Sequence, residues 1–277
     1  MKKLLALVLA LTFVFSLCSC VANVKDNMDE GTKKPDKIEQ SDKDYIKGKG
    51  EMIIGITYFA PMNYFDNENN LVGFETEFAK AVCAELGVEA KFQEINWTAK
   101  ETELAAKNID CIWNGMTATP EREAEMSLTT HYMKNKQVLV MRADKAADVK
   151  NADGLVIVAE KESAGEGVAT SDDFFANATY IAVDTQAKAL TEVKSGTADG
   201  CVVDYVCSIG MIGEGTDYED LVVVETEAFN EEEYAIAFRD GSDMTAEVNK
   251  VIENLIANGK ASEIAKKYKL EEQIIVE

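Results

Sequence analysis

Residues 110–122 read Asp110-Cys111-Ile112-Trp113-Asn114-Gly115-Met116-Thr117-Ala118-Thr119-Pro120-Glu121-Arg122. The apolar run from Ile109 to Trp113 predicts a short buried strand. Asn114-Gly115 is a turn signal, and Pro120 suits the first turn of a helix, where its missing N–H breaks no bond. Arg122 then falls in that first turn and can point back toward the loop 114–117. Strand, polar loop and helix thus follow one another with a guanidinium at the junction.

The same alternation extends in both directions. Upstream, Met52–Ile56 and Glu89–Ile95 predict strands. Glu75–Leu86 predicts a helix with Phe74, Phe78, Ala81, Val82 and Leu86 on one face and Gly87 as its stop. Thr98–Lys107 is helical. Downstream, Gln137–Met141, Leu155–Val158, Tyr180–Val183, Asp199–Val203, Leu221–Val224 and Tyr234–Phe238 read as strands. Gly165–Phe175, Gln186–Lys194, Tyr205–Ile212, Thr245–Asn258 and Ala261–Tyr268 read as helices. Such alternation predicts α/β layers on mostly parallel sheets, with ligands gathering beyond the carboxyl ends of the strands.

Composition narrows the function. Hydrophobic residues are 47% of the 277, enough for a sizeable core and too many for a disordered chain. Fifty acidic against 28 basic residues give a net charge of −22, which argues against nucleic acid as a partner. The single histidine, His131, leaves little material for a histidine-rich metal site or a His-based triad. Cys83, Cys111, Cys201 and Cys207 match no zinc spacing. Buried free thiols are the plain reading, and a disulfide stays open. No metal and no cofactor is expected.

The first residues look like a targeting signal. Lys2 and Lys3 precede an apolar run, Leu4–Phe15, that is short for a membrane span of about 20 residues. It ends in Leu17-Cys18-Ser19-Cys20, which resembles a bacterial lipobox with Cys20 as the acylated residue. An ordinary secretory signal with incidental cysteines is the alternative. A diacyl chain would suffice for stable membrane attachment. Residues 1–19 are therefore expected to be a signal peptide. The charged stretch that follows, residues 20–47, reads as a flexible tether.

Four segments carry a family resemblance. They are Gly55–Asp66 with Gly73–Ala81, Asp110–Arg122, Gly196–Asp204, and Tyr234–Gly241 with the closing helices. In order and at this spacing they resemble the solute-binding proteins of polar amino-acid ABC importers, over about residues 50–270. The resemblance implies a two-lobed, type II periplasmic-binding-protein-like fold: two mostly parallel sheets joined by a two-segment hinge. Lobe 1 would comprise 48–134 and 231–277, and lobe 2 would comprise 135–230. The crossings would lie near Lys134–Gln137 and Ala228–Glu232. It also implies a lipid-anchored, monomeric protein on the extracytoplasmic face of the membrane, with a free amino acid and an ABC permease with its ATPase as partners.

A zwitterion needs a cationic fork for its carboxylate and an anion for its ammonium, since either charge buried alone is costly. Arg122 supplies the fork; a solvated helix charge is the alternative. Asn114, Gly115 and Thr117 would offer N–H groups, close approach and a hydroxyl to the same carboxylate. Asp204 ends a strand and begins a helix. It reads as a helix N-cap, as the ammonium partner that the resemblance implies, or as both. Phe59, by resemblance, flanks the ligand side chain; Tyr58 beside it and Trp97 after the strand ending at Ile95 are further aromatic walls, or simply core. After Val158 the hydroxyl pair common in the family is reduced to Ser163, which weakens the case for a carboxylate contact from lobe 2. Glu160 and Glu162 there read as a solvated acidic loop, with a cationic ligand group as the other reading. An enzyme of the prephenate-dehydratase type, a sensory module and a binder of another metabolite share the scaffold. No catalytic acid–base pair is evident, so no enzyme is expected.

Overall fold

The structure is a computed structural model that describes residues 41–224, 229 and 231–276. The leader, Cys20, the tether up to residue 40 and Ala228 lie outside the described residues. Helix α1 (Asp42–Lys49) opens the chain, capped by Ser41 Oγ accepting the Asp44 N–H and ended by Gly50 at φ 74°. It corrects the expectation of a tether reaching residue 47. Asp42 is 1% exposed and accepts from Arg239 Nε at 3.0 and 2.9 Å, while Ile46 is fully buried. Asp110, also buried, lies 3.7 Å from Arg239 Nη2 and 2.5 Å from Lys49 Nζ. Removing one member of such a network costs roughly 3–5 kcal/mol, because a buried charge is left alone.

The chain continues through β1 (Glu51–Ile56), a hairpin of β2 (Tyr64–Phe65) and β3 (Leu71–Val72), α2 (Phe74–Leu86) and β4 (Glu89–Glu94). A 3-10 turn at Trp97–Ala99 leads to α3 (Lys100–Ala105), β5 (Cys111–Ile112), α4 (Pro120–Glu125) and β6 (Met126–Leu128). After these come β7 (Met133–Arg142), β8 (Val156–Glu160), α5 (Ala164–Ser171), β9 (Thr179–Val183), α6 (Gln186–Ser195) and β10 (Gly200–Asp204). The chain closes with α7 (Tyr205–Met211), β11 (Leu221–Val223), β12 (Glu231–Tyr234), β13 (Ala237–Arg239), α8 (Met244–Ala257) and α9 (Lys260–Lys267).

Two sheets organise these elements. The first has the order β4-β1-β5-β13-β6 and the second β11-β7-β10-β8-β9. In each, one strand runs against the rest: β13 in the first and β7 in the second. The start of β7 pairs antiparallel with β12, from Met133↔Tyr234 to Lys136↔Glu231, so two adjacent segments carry the chain between the sheets. The expected strand Tyr234–Phe238 is split into β12 and β13, because the chain changes partner from β7 to β5 and β6. The expected helix to Phe175 stops at Ser171, where Asp172 accepts the Phe174 N–H at 2.8 Å and starts a 3-10 turn.

The core of the first sheet packs under α2. Phe74, Phe78 and Val82 are buried, and Phe78 meets Trp113 edge-on at 5.7 Å. Each such large apolar side chain contributes roughly 1.5–3 kcal/mol on burial. Gly87 ends α2 in the left-handed conformation at φ 74°, as a C-terminal glycine does. The four cysteines of the described region are buried and free, and burial pushes the Cys83 thiol up to about 12. No helix among the described residues is long and apolar enough to cross a membrane.

Candidate functional site

The carboxyl ends of six strands converge on one cavity. From the first sheet, β1 leads into Thr57 and Phe59, β4 toward Trp97, and β5 into Asn114, Gly115 and Thr117. From the second, β8 ends at Glu160 and β10 at Asp204, and Gln186 opens α6 just beyond β9. With Arg122, Ser163 and Ala164 these residues line one small, tightly closed cavity.

Thr119 caps α4 and accepts the Arg122 N–H, with Pro120 at the first turn. The Arg122 side chain turns back, and its Nη1 donates to the Thr117 carbonyl at 2.7 Å. Burial pulls the guanidinium pKa down, while Glu101, Glu232 and Asp204 hold it up. Opposite, Asp204 is 6% exposed and accepts from Asn135 Nδ2 at 2.8 Å, Gln137 Nε2 at 2.6 Å and Gln186 Nε2. Gln186 Oε1 accepts the Asp204 N–H in return at 3.0 Å. Burial still raises the Asp204 carboxyl despite these donors. Glu232 shares two of them, Asn135 and Gln137, and is raised by burial and by the neighbouring Asp204.

The two walls also touch. Trp97 Nε1 donates to the Glu162 carbonyl at 3.2 Å, and Arg122 Nη2 lies 3.4 Å from the same oxygen. The cavity is thus a closed interface between a cationic side and an anionic side.

The profile of the bacterial extracellular solute-binding proteins, family 3, matches residues 52–271. The chain belongs to that family. Among similar proteins, the arginine-binding extracellular protein ArtP of Bacillus subtilis is 26% identical, over 97% of this chain and 98% of its own. The L-cystine-binding protein TcyJ of Escherichia coli K12 is 25% identical, over 80% and 84%. A crystal structure of a mutant ArgBP from T. maritima superposes with a TM-score of 0.74 at 27% identity, covering 82% of this chain and 99% of that one. These relatives are named as binding proteins, and this family member is a solute-binding protein rather than an enzyme of the dehydratase type.

In this solute-binding protein, Arg122, Asp204, Thr117, Gly115, Asn114, Phe59, Trp97 and Ser163 all line the one cavity. Tyr58 does not: its ring packs on Phe65 at 5.0 Å and borders an adjoining cavity with Glu94 and Asp184. Several lining residues serve differently than expected. The Gly115 N–H donates inward to Glu75 Oε1 at 2.8 Å. Glu75 is fully buried, also takes Asn63 and Tyr132 donors, and is raised by burial to about 7. Gly115 sits at φ +56, where a side chain is strained, and a Cβ there would also crowd the Phe59 and Tyr234 rings at 3.2 and 3.3 Å, so backbone and packing together favour glycine. The Thr117 hydroxyl donates to Glu232 at 3.0 Å rather than standing free. Ser163 is taken up by its own turn, accepting the Glu166 N–H and donating to the Glu160 carbonyl at 2.7 Å.

Asp204 stands at the helix start, yet its side chain makes no capping bond and faces the cavity instead. Glu160 is no solvated loop residue: it is 5% exposed, and burial with Asp204 nearby raises its carboxyl to about 8. Glu162 is exposed, as a solvated acid should be. Thr57, Gln186, Asn135, Gln137 and Glu232 were not anticipated. Gln186 was legible as the first residue of a helix that follows a strand.

Proposed function

We propose that the protein captures a free polar amino acid outside the cytoplasm and delivers it to an ABC importer, held at the membrane by a diacylglycerol on Cys20. One observation carries the reading: a guanidinium, Arg122, and a carboxylate, Asp204, face a single small cavity from opposite walls. Opposite charges on facing walls suit the two ends of a zwitterion. Its carboxylate takes the planar donor fork, and its ammonium takes the acid already oriented by three amides. Each end of the ligand would otherwise bury an unpaired charge, so α-carboxylate and α-ammonium are both required. Relatives named for arginine and for cystine support an amino-acid ligand.

Binding would proceed by closure. A ligand that contacts both walls has higher affinity for the closed arrangement and shifts the population toward it. The Trp97 and Arg122 contacts to the Glu162 carbonyl then close the entrance.

Calorimetry of the purified protein against a panel of free amino acids tests capture. Tight one-to-one binding of at least one of them, recovered unchanged, is expected; indifference to the whole panel would refute the reading. Mass spectrometry of the membrane-extracted protein tests the anchor: a diacylated Cys20 at the new N-terminus is expected, and a Cys20→Ala protein should be released from the membrane.

A further inference from the structure

The zwitterion clamp uses Arg122 and Asp204 and leaves Glu160 without a task. Glu160 ends β8 inside the same cavity wall, and its Oε1 is buried with no hydrogen-bond partner among the described residues. Asp204, next to it on the neighbouring strand, is satisfied by three amide donors. An acid buried without donors is an unfavourable arrangement unless something else brings the missing charge.

The protein's own cations do not bring it. Lys100 is the cation that lowers the Glu160 pKa, but its Nζ lies 3.0 Å from Glu101, 3.8 Å from Glu162 and over the Trp97 ring. Arg122 is directed at the Thr117 carbonyl. Among the cavity-lining side chains there is one cation against two carboxylates, so a zwitterion balances Arg122 and Asp204 and leaves Glu160 over. Beyond Thr57 and Trp97 the adjoining cavity adds Glu94 and Asp184 and no basic residue. Phe59 adds an aromatic ring to the lining, and aromatic rings attract cations.

The geometry points to an amino acid with a cationic side chain, a guanidinium or an ammonium, as the ligand, with Glu160 as the residue that selects for that charge. The inference rests on the amino-acid-capture reading and adds the side-chain class to it.

Titration calorimetry of the full-length protein with near-isosteric pairs tests it: arginine against citrulline, and lysine against norleucine. In at least one pair the cation should bind ~30-fold tighter or more, the scale of a desolvated charge pair. Glu160→Gln should bring that ratio to within about 3-fold, and Glu160→Asp, which keeps the charge, should retain a clear preference. Wild-type protein that binds both members of each pair alike, or that prefers neutral amino acids, overturns the inference and leaves capture standing. So does a ratio unmoved by Glu160→Gln, or equal loss of cation and neutral partner, which would place Glu160 at the α-ammonium. Failure to bind any amino acid overturns capture as well.

Discussion

The wall contributed by the first sheet comes largely from one stretch, residues 114–122, braced from behind by Glu75 under Gly115 and folded back by Arg122 onto Thr117. The opposite wall is gathered from separate strand ends: Glu160 after β8, Gln186 after β9, Asp204 at the end of β10, with Asn135 and Gln137 reaching in from β7. One wall is cationic and locally encoded; the other is anionic and exists only once the sheet has formed. The difference implies that the first wall can be altered by single changes in a loop, whereas the second answers as a coupled set of acids and amides.

The sharpest way to break this comparison is to remove the one cation among the described residues that line the cavity. Arg122→Ala should weaken amino-acid binding by ~100-fold or more, since truncating one partner of a buried charge pair costs roughly 2–5 kcal/mol. Calorimetry reads this directly, and wild-type affinity in the variant would show that the cavity is not the site. Asp204→Asn should cost ~10–100-fold for amino acids and far less for their deaminated analogues. Equal losses for both would remove Asp204 from the ammonium.

The anionic wall should also reveal itself through pH. Glu160 has an ordinary value of 4.5 and is raised to about 8 in the folded chain, by burial first, then by Asp204 and Asp184 against Lys100. The folded state therefore favours the protonated acid. That contribution to stability is complete below about pH 4.5 and is lost as pH rises through 8. Ligand-free wild-type protein should lose stability across that window. Glu160→Gln should be the more stable at pH 8, by on the order of a few kcal/mol, with the gap closing toward pH 4.5. Chemical unfolding at the two pH values checks this; a gap independent of pH would contradict the buried carboxyl. The smallest effect expected is at the seam. Trp97→Phe keeps an aromatic wall but loses the indole donor to Glu162, worth about 1 kcal/mol, and should appear as a several-fold faster ligand release in stopped-flow traces.

The same asymmetry explains what could be read before the structure. Strand, turn and Pro-opened helix at 109–125 are local signals, so the Arg122 side of the cavity was legible residue by residue. The α/β alternation gave the sheets, but not the reversed strands β7 and β13, whose direction depends on where the chain crosses between them. Helix α1 was missed although Ser41 and Gly50 are ordinary cap residues, because its polar face conceals one buried acid whose partner, Arg239, lies 197 residues away. Glu160 carried no local mark either: the same acidic residue after a strand can be solvated or enclosed, and only the closing of Asp204, Gln186 and Trp97 around it decides. Gly115 shows a third case, in which the residue was recognised and its reason was not, since a positive φ and two close rings favour glycine there.

The meeting of the two walls at residue 162 has a practical corollary. What Trp97 and Arg122 engage is the carbonyl of Glu162, held at φ +60, and every amino acid carries that group. Alanine scanning at 162 would therefore report only the side chain's approach to Lys100 at 3.8 Å and pass over the carbonyl contact. Replacing the following peptide linkage by an ester weakens the carbonyl as an acceptor without touching any side chain, at the loss of the Ser163 N–H bond to the Glu160 carbonyl, and is the change to which this seam should respond.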